Sequence, residues 1–384
     1  MAGYVEIIMD LAMNNQIRPR HTFLKAIFLY ALANVVFAVF DPPIGKLTFY
    51  NWLFPGRERV PYEREIEYYP VSHTIPIYED MDAMYSSHIL SQPKQDDEYR
   101  VMLIGDSSTW GFELHPEETL AATLTDLNMR TCGGERIVFY NAAFPLPYVM
   151  KDLLIMDKVR EYAPDMYLWP ITLDAIRNRV AFSNHFLDPY AERVFELVDG
   201  YEIGNLDTEK VSMPNFWDRT IIGQRIRIKK ILLLQFYGFG WAGTGLDYYY
   251  NEHSSPPAIQ PDNLLFDELG PEEFDLDLLL FDVLEAGYEL AGDVPLMVVN
   301  EPIFISPGDK NNIRYNFLYP RWAYDSYSIY LASWMKNNNR EYVDAWNALP
   351  PSAFTDSLFH RTPDGEKILA NLIKTKILEL SCAR

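Results

Sequence analysis

Residues 101–111 read VMLIGDSSTWG. The unbroken apolar run Val101 to Ile104 is what a strand buried on both faces requires, and Gly105-Asp106-Ser107 is turn chemistry that ends it. GFELHPEETL then leads into a helical pattern. A strand that passes through a tight turn into a helix leaves the turn serine exposed, with backbone N–H groups converging beside it. Ser107 is therefore the candidate nucleophile.

Outward from this stretch, short β-branched runs alternate with longer helical patterns. Strands are expected at Arg100–Ile104, Arg136–Asn141, Asp165–Ile171, Val294–Asn300 and Glu341–Trp346. Helices are expected from about Glu117 to Met129, Met150 to Tyr162, Phe274 to Ala291, Ala323 to Asn338 and Pro363 to Leu380. The alternation predicts an α/β fold with a parallel sheet covered by helices on both faces. The last helix is well signed, with Thr362 as N-cap, Pro363 in the first helical position, and Asp364 and Glu366 in the first turn. In such sheets function gathers at the carboxyl ends of the strands, where both Ser107 and the loop before Thr362 fall.

The chain has 384 residues, 48% of them hydrophobic, enough for a large folded domain with additions. Its 54 acidic and 33 basic residues give a net charge of -21, which leaves no basic footprint for nucleic acid. Cys132 and Cys382 lie too far apart for a metal cluster and are too few for a disulfide framework, so they read as buried or idle thiols.

Thr22 to Phe40 spans nineteen residues with one charge, Lys25, and Asp41-Pro42-Pro43 stops it sharply. That length just crosses a bilayer core of about 30 Å. Ala38-Val39-Phe40-Asp41 is a poor cleavage site, so the segment reads as an uncleaved transmembrane anchor, with a buried core helix as the alternative. Flanking cations tie, Arg18, Arg20 and Lys25 against Lys46, Arg57 and Arg59. The leading cluster is the closer, which favours an inside N-terminus and an extracytoplasmic main domain. The expected organisation is a cytoplasmic segment 1–21, an anchor 22–40, a stalk 41–98 and a domain 99–384 with an insertion at about 179–271. Within the insertion, apolar Ile231 to Leu246 follows Arg225, Arg227, Lys229 and Lys230. Such a stretch either lies in the membrane interface or packs on the domain.

The Gly-Asp-Ser turn directly after an apolar strand resembles the first block of the SGNH/GDSL hydrolase family, where it carries the nucleophile. That family places its general base in an Asp-x-x-His turn just before the C-terminal helix. FTDSLFHRTPDGEKILA, residues 354–370, is similar in place and flavour, which implies His360 as the base. Asp356 lies four residues before His360 rather than three. It completes a triad only across a one-residue bulge; otherwise a backbone carbonyl orients the ring and Asp356 is a turn residue.

The family's oxyanion blocks correspond to Asn141-Ala142-Ala143-Phe144-Pro145 and Ile171-Thr172-Leu173-Asp174. The Ser107 and Ala143 amides can serve, but Leu173 stands where the family has a donor asparagine. One lost donor costs about 10² to 10³ in rate, and Asn141 and Thr172 are candidate substitutes. His115, His185 and Asn178 read as surface or packing residues. The resemblance implies a flavodoxin-like five-stranded sheet, a serine esterase or O-acyltransferase, and no metal or organic cofactor. Membrane-tethered members of the family act on cell-surface polymers beside an integral-membrane acyl donor. The implied partners are the lipid bilayer, an acylated envelope glycan or small ester, and such a donor protein. The rival reading is a non-catalytic relative that binds a glycan or a membrane partner.

Overall fold

The computed structural model describes residues 19–47, 56–60, 78–177, 186–204, 206, 211–244, 256, 263–308 and 310–383, without the side chains of 237–244 and 278. Asn178, His185, most of the segment 1–21 and parts of the stalk and insertion lie outside them. Along the chain run α1 (Pro19–Phe40), α2 (Met81–Ser86), β1 (Glu98–Leu103), α3 (Ser107–Trp110), α4 (Leu120–Asp126), β2 (Arg136–Asn141), α5 (Val149–Val159) and β3 (Met166–Ile171). There follow α6 (Leu173–Ile176), α7 (Ala191–Gly200), α8 (Arg225–Thr244), α9 (Phe281–Ala291), β4 (Leu296–Asn300), α10 (Arg321–Asn337), β5 (Glu341–Asp344) and α11 (Pro363–Ser381). The chain divides into two compact units, Met1–Ile44 with Pro214–Lys229, and Gly45–Met213 with Lys230–Arg384.

In the larger unit the five strands form one sheet in the order β2-β1-β3-β4-β5, every pair parallel. This is the flavodoxin-like order that the family resemblance implies. It places a crevice beyond the carboxyl ends of β1 and β3, where the order reverses. β1, β3 and β4 are buried at every residue, as covering on both faces demands. On one face Val101 and Leu103 pack with Leu120 and Leu124 of α4 and with Leu369, Ile373 and Ile377 of α11. On the other, Trp169 lies so close to α9 that a Cβ on Gly287 would sit 2.5 Å from its ring, which is why a glycine stands mid-helix there.

Two helices differ from expectation. α4 starts at Leu120 because the Thr119 hydroxyl takes the Ala122 N–H (3.4 Å), and a separate 3₁₀ turn covers Pro116–Glu118. α9 starts seven residues late. A 3₁₀ turn covers Leu276–Leu278, after which the Leu280 N–H bonds to the Ile176 carbonyl (2.9 Å) and Leu279 bridges Arg177, so tertiary pairing keeps the α-helix from starting before Phe281. The start of the sheet also moves: Glu98, placed in the stalk, is the first residue of β1, pairing with Arg136 and bonding Arg100 at 2.6 Å. Stalk residues Arg59, Val60 and Tyr85 pack against α3 and the loop after β2. Arg59 donates to the Gly111 carbonyl (2.7 Å), Trp110 to that of Val60 (3.0 Å), and Tyr85 to that of Ala142 (2.8 Å).

Cys132 and Cys382 form a disulfide, which corrects their reading as separate thiols. A separation of 250 residues hides the pairing in the sequence. The fold creates it by laying α11 on the sheet face beside β1 and β2, so that the end of α11 meets the loop before β2.

Candidate active site

β1 delivers the chain to Gly105, where a Cβ would meet the Thr109 hydroxyl at 2.5 Å; only glycine lets the turn close. The Asp106 carboxylate then accepts the Ser108 N–H (2.9 Å), capping α3 and leaving Ser107 at its first position. The Ser107 N–H has no hydrogen-bond partner among the described residues.

At the other end of the domain, Phe354 and Arg361 pair across a tight loop closed by the Thr355 N–H on the His360 carbonyl (2.9 Å). The Ser357 hydroxyl accepts the amides of Phe359 (3.2 Å) and His360 (3.0 Å), filling the loop with local bonds. This loop carries the imidazole to Ser107: His360 Nε2 lies 2.8 Å from Ser107 Oγ, across 253 positions of sequence. His360 Nδ1 lies 2.7 Å from Asp356 Oδ1. The extra residue between Asp356 and His360 is absorbed in the loop. With Nδ1–H donating to Asp356, Nε2 is free to accept the Ser107 O–H. Burial pushes the Asp356 carboxyl up, but its bond to His360, that residue's charge and the Thr355 hydroxyl outweigh it and hold the carboxyl below its ordinary value. The Phe112 ring lies against the imidazole, centroids 4.9 Å apart.

Asn141 does not present a donor. Its amide nitrogen is committed to the carbonyls of Thr109 (3.0 Å) and Trp110 (3.1 Å), and its oxygen takes the Ala143 N–H (3.3 Å). It braces β2 against α3 and occupies the very amide expected to stand free. Thr172 caps α6 through the Ala175 N–H (3.4 Å), and Leu173 is fully buried. Of the Ser107 and Ala143 amides, the Ser107 N–H is the one left without a partner among the described residues.

Two buried ionic clusters beneath the site went unread in the sequence. Arg361, next to His360, donates to Glu301 (2.8 Å), to Glu366 (3.0 Å) and to the Ser108 carbonyl (3.3 Å), all buried. The Ser108 hydroxyl bonds Glu301 as well. One guanidinium therefore joins the Ser107–Ser108 turn, the end of β4, the histidine loop and α11. Burial, with the nearby Asp106 charge, pushes the Glu301 carboxyl up to about 7 against the pull of Arg361. In the second cluster Lys151, fully buried, donates to the carbonyls of Gly105 (2.6 Å) and Phe144 (2.8 Å). Its counter-ion is Asp152, whose carboxyl burial raises to about 6. Lys151 clamps the two loops that flank the Ser107 amide.

No family model matches the chain, and no curated protein matches it. Solved structures similar to it include a lipolytic protein of the G-D-S-L family from Veillonella parvula, 8% identical, covering 72% of this chain and 96% of that one with a TM-score of 0.35. An inferred acylhydrolase from Bacteroides fragilis is 12% identical over 76% and 92% of the two chains, with a TM-score of 0.34. A catalytic mutant of an acetylxylan esterase from Geobacillus stearothermophilus is 14% identical over 73% and 94%, with a TM-score of 0.32.

Proposed function

We propose that the chain is a membrane-anchored serine acyl hydrolase or O-acyltransferase of the SGNH/GDSL kind. The observation that carries this is the continuous relay from Asp356 through His360 to Ser107, at 2.7 and 2.8 Å. Ser107 Oγ attacks the ester carbonyl carbon while His360 Nε2 takes its proton, and the carbonyl oxygen becomes the oxyanion beside the Ser107 N–H. Asp356 stabilises the imidazolium. The tetrahedral intermediate collapses as the C–O bond breaks, and Nε2 returns the proton to the departing alkoxide. Water, or an acceptor hydroxyl in the transferase, then gives a proton to Nε2 and attacks the acyl-serine. As the second intermediate collapses, the bond from the acyl carbon to Ser107 Oγ breaks and Nε2 returns the proton to Oγ, which restores the serine and releases acid or a new ester.

α1, 22 residues long and largely apolar, supports attachment to a bilayer. The Cys132–Cys382 disulfide supports an oxidising, extracytoplasmic location for the sheet domain. An acylated envelope glycan is the substrate class that fits a tethered domain on that side, with an integral-membrane protein as acyl donor in the transferase. A fluorophosphonate probe tests the reading, because it labels only an activated serine. We expect labelling of the intact chain that disappears in S107A and falls sharply in H360A. Labelling that persists in S107A would place the nucleophile elsewhere. A folded chain that takes no label would instead support the glycan-binding or membrane-partner relative, the reading that buried Leu173 favours.

A further inference from the structure

Within the smaller unit, Asn34 interrupts the apolar run of α1. A primary amide left unpaired in hydrocarbon is strongly unfavourable. Both its ends are satisfied: Nδ2 donates to the Tyr30 carbonyl (2.9 Å), and Oδ1 accepts the backbone N–H of Ile222 (3.1 Å). Asn34 and Ala38 are the buried residues of α1, whereas Phe28, Val39 and Phe40 are exposed. A segment 188 residues downstream therefore sits on one face of this helix at a fixed level. Asn34 precedes Phe40 by six residues, which at about 1.5 Å per residue puts that level about 9 Å inside the helix end. This is the depth, about 5 to 10 Å, at which amphipathic interfacial elements rest.

The segment has the chemistry for that depth. Its backbone donors turn inward, Thr220 N–H to the Trp217 carbonyl (3.2 Å) and Gln224 N–H to that of Thr220 (2.8 Å). Phe216, Trp217, Ile222 and Ile226 are exposed, Trp217 at 75%. Arg225 and Lys229 are exposed among them. Aromatic rings beside cations are the composition of a membrane interface.

We infer that residues 214–229 form an amphipathic foot lying in the interfacial zone of the bilayer at the Phe40 end of α1, with Phe216, Trp217 and Ile222 at the acyl boundary and Arg225 and Lys229 against anionic phospholipid headgroups. The inference rests on α1 being a retained membrane span, and it tells against a cleaved leader, whose removal would strip Asn34 from Ile222. Two readouts on the full-length chain in phosphatidylcholine liposomes with phosphatidylglycerol separate the two ideas. Resistance to alkaline carbonate extraction reads the span. Photocrosslinking from benzoylphenylalanine placed at position 217, with position 28 as the reference within α1, reads the foot. Phospholipid adducts at 217 should match those at 28 within a few-fold. They should also be enriched about fivefold in phosphatidylglycerol over the bulk, an enrichment lost in R225Q/K229Q. Carbonate resistance with adducts at 28 and none at 217 overturns the foot and leaves the span. Adducts without enrichment overturn the headgroup contact. Extraction by carbonate overturns the span and the foot with it.

Discussion

Replacing Arg361 by methionine, which keeps the volume and removes the charge, strands two fully buried carboxylates, Glu301 and Glu366. Breaking a buried ion pair from one side costs about 3 to 5 kcal/mol, because the remaining charge has neither partner nor water. At about 2 to 4 °C per kcal/mol for a domain of this size class, the melting temperature falls by roughly 6 to 20 °C near pH 8. The loss depends on pH. Burial already raises both carboxyls, Glu301 to about 7 from an ordinary 4.5, and the guanidinium is what pulls them back. Without it both rise further, so the folded variant binds protons that the unfolded chain does not. A group raised in the folded state contributes stability below its unfolded value and loses it as pH rises through the folded one. The deficit of R361M is therefore smallest near pH 5 and largest near pH 8. Urea unfolding of the detergent-solubilised chain, followed by tryptophan fluorescence at both values, measures it. R361M/E301Q/E366Q, with no charge left buried there, recovers most of the stability. A deficit under about 1 kcal/mol at pH 8, or one equal at the two values, would refute this account of the cluster.

D356N should lower kcat for ester hydrolysis by about 10⁴ while leaving urea unfolding within about 1 kcal/mol, since the neutral amide can present its N–H to Nδ1, favouring the wrong His360 tautomer, and no longer stabilises the imidazolium; an unchanged rate would retire Asp356 from the relay. K151M should lose activity and stability together, the activity by about 10² because the loops beside the Ser107 amide are released. K151M/D152N, which leaves no buried unpaired charge, should regain the stability and not the rate, and recovery of both would reduce Lys151 to a structural role. Reducing Cys132–Cys382 opens a 250-residue loop, and dithiothreitol should lower the unfolding free energy by up to about 5 kcal/mol while hydrolysis at 25 °C persists, because the bond lies at the end of α11 away from the site.

Ser107 and His360 were legible because each sits in a local pattern with a local cause. An apolar strand must end in a turn, and Thr362-Pro363-Asp364 must start a helix, so Ser107 is held just past β1 and His360 just before α11. Asp356 was legible in type and left open in geometry, since the loop that absorbs the extra residue is closed by Ser357 and Thr355, polar residues with no fixed role in a sequence. Asn141 shows the opposite limit. It is a residue type that can donate to an oxyanion, yet its direction is set by two carbonyls of α3 that lie 31 and 32 positions away. Arg361 and Lys151 were not legible at all, because a charged residue on a helix or loop is ordinarily solvated and only strands distant in sequence decide otherwise. Arg361 reaches Glu301 across 60 positions and Ser108 across 253. The same long-range closure that brings His360 to Ser107 thus buries the ions beneath them. The hydrogen-bonded chain and its foundation form together, which is why substitutions at Arg361 or Lys151, neither of which touches His360 Nε2 or Asp356, are expected to be felt at Ser107.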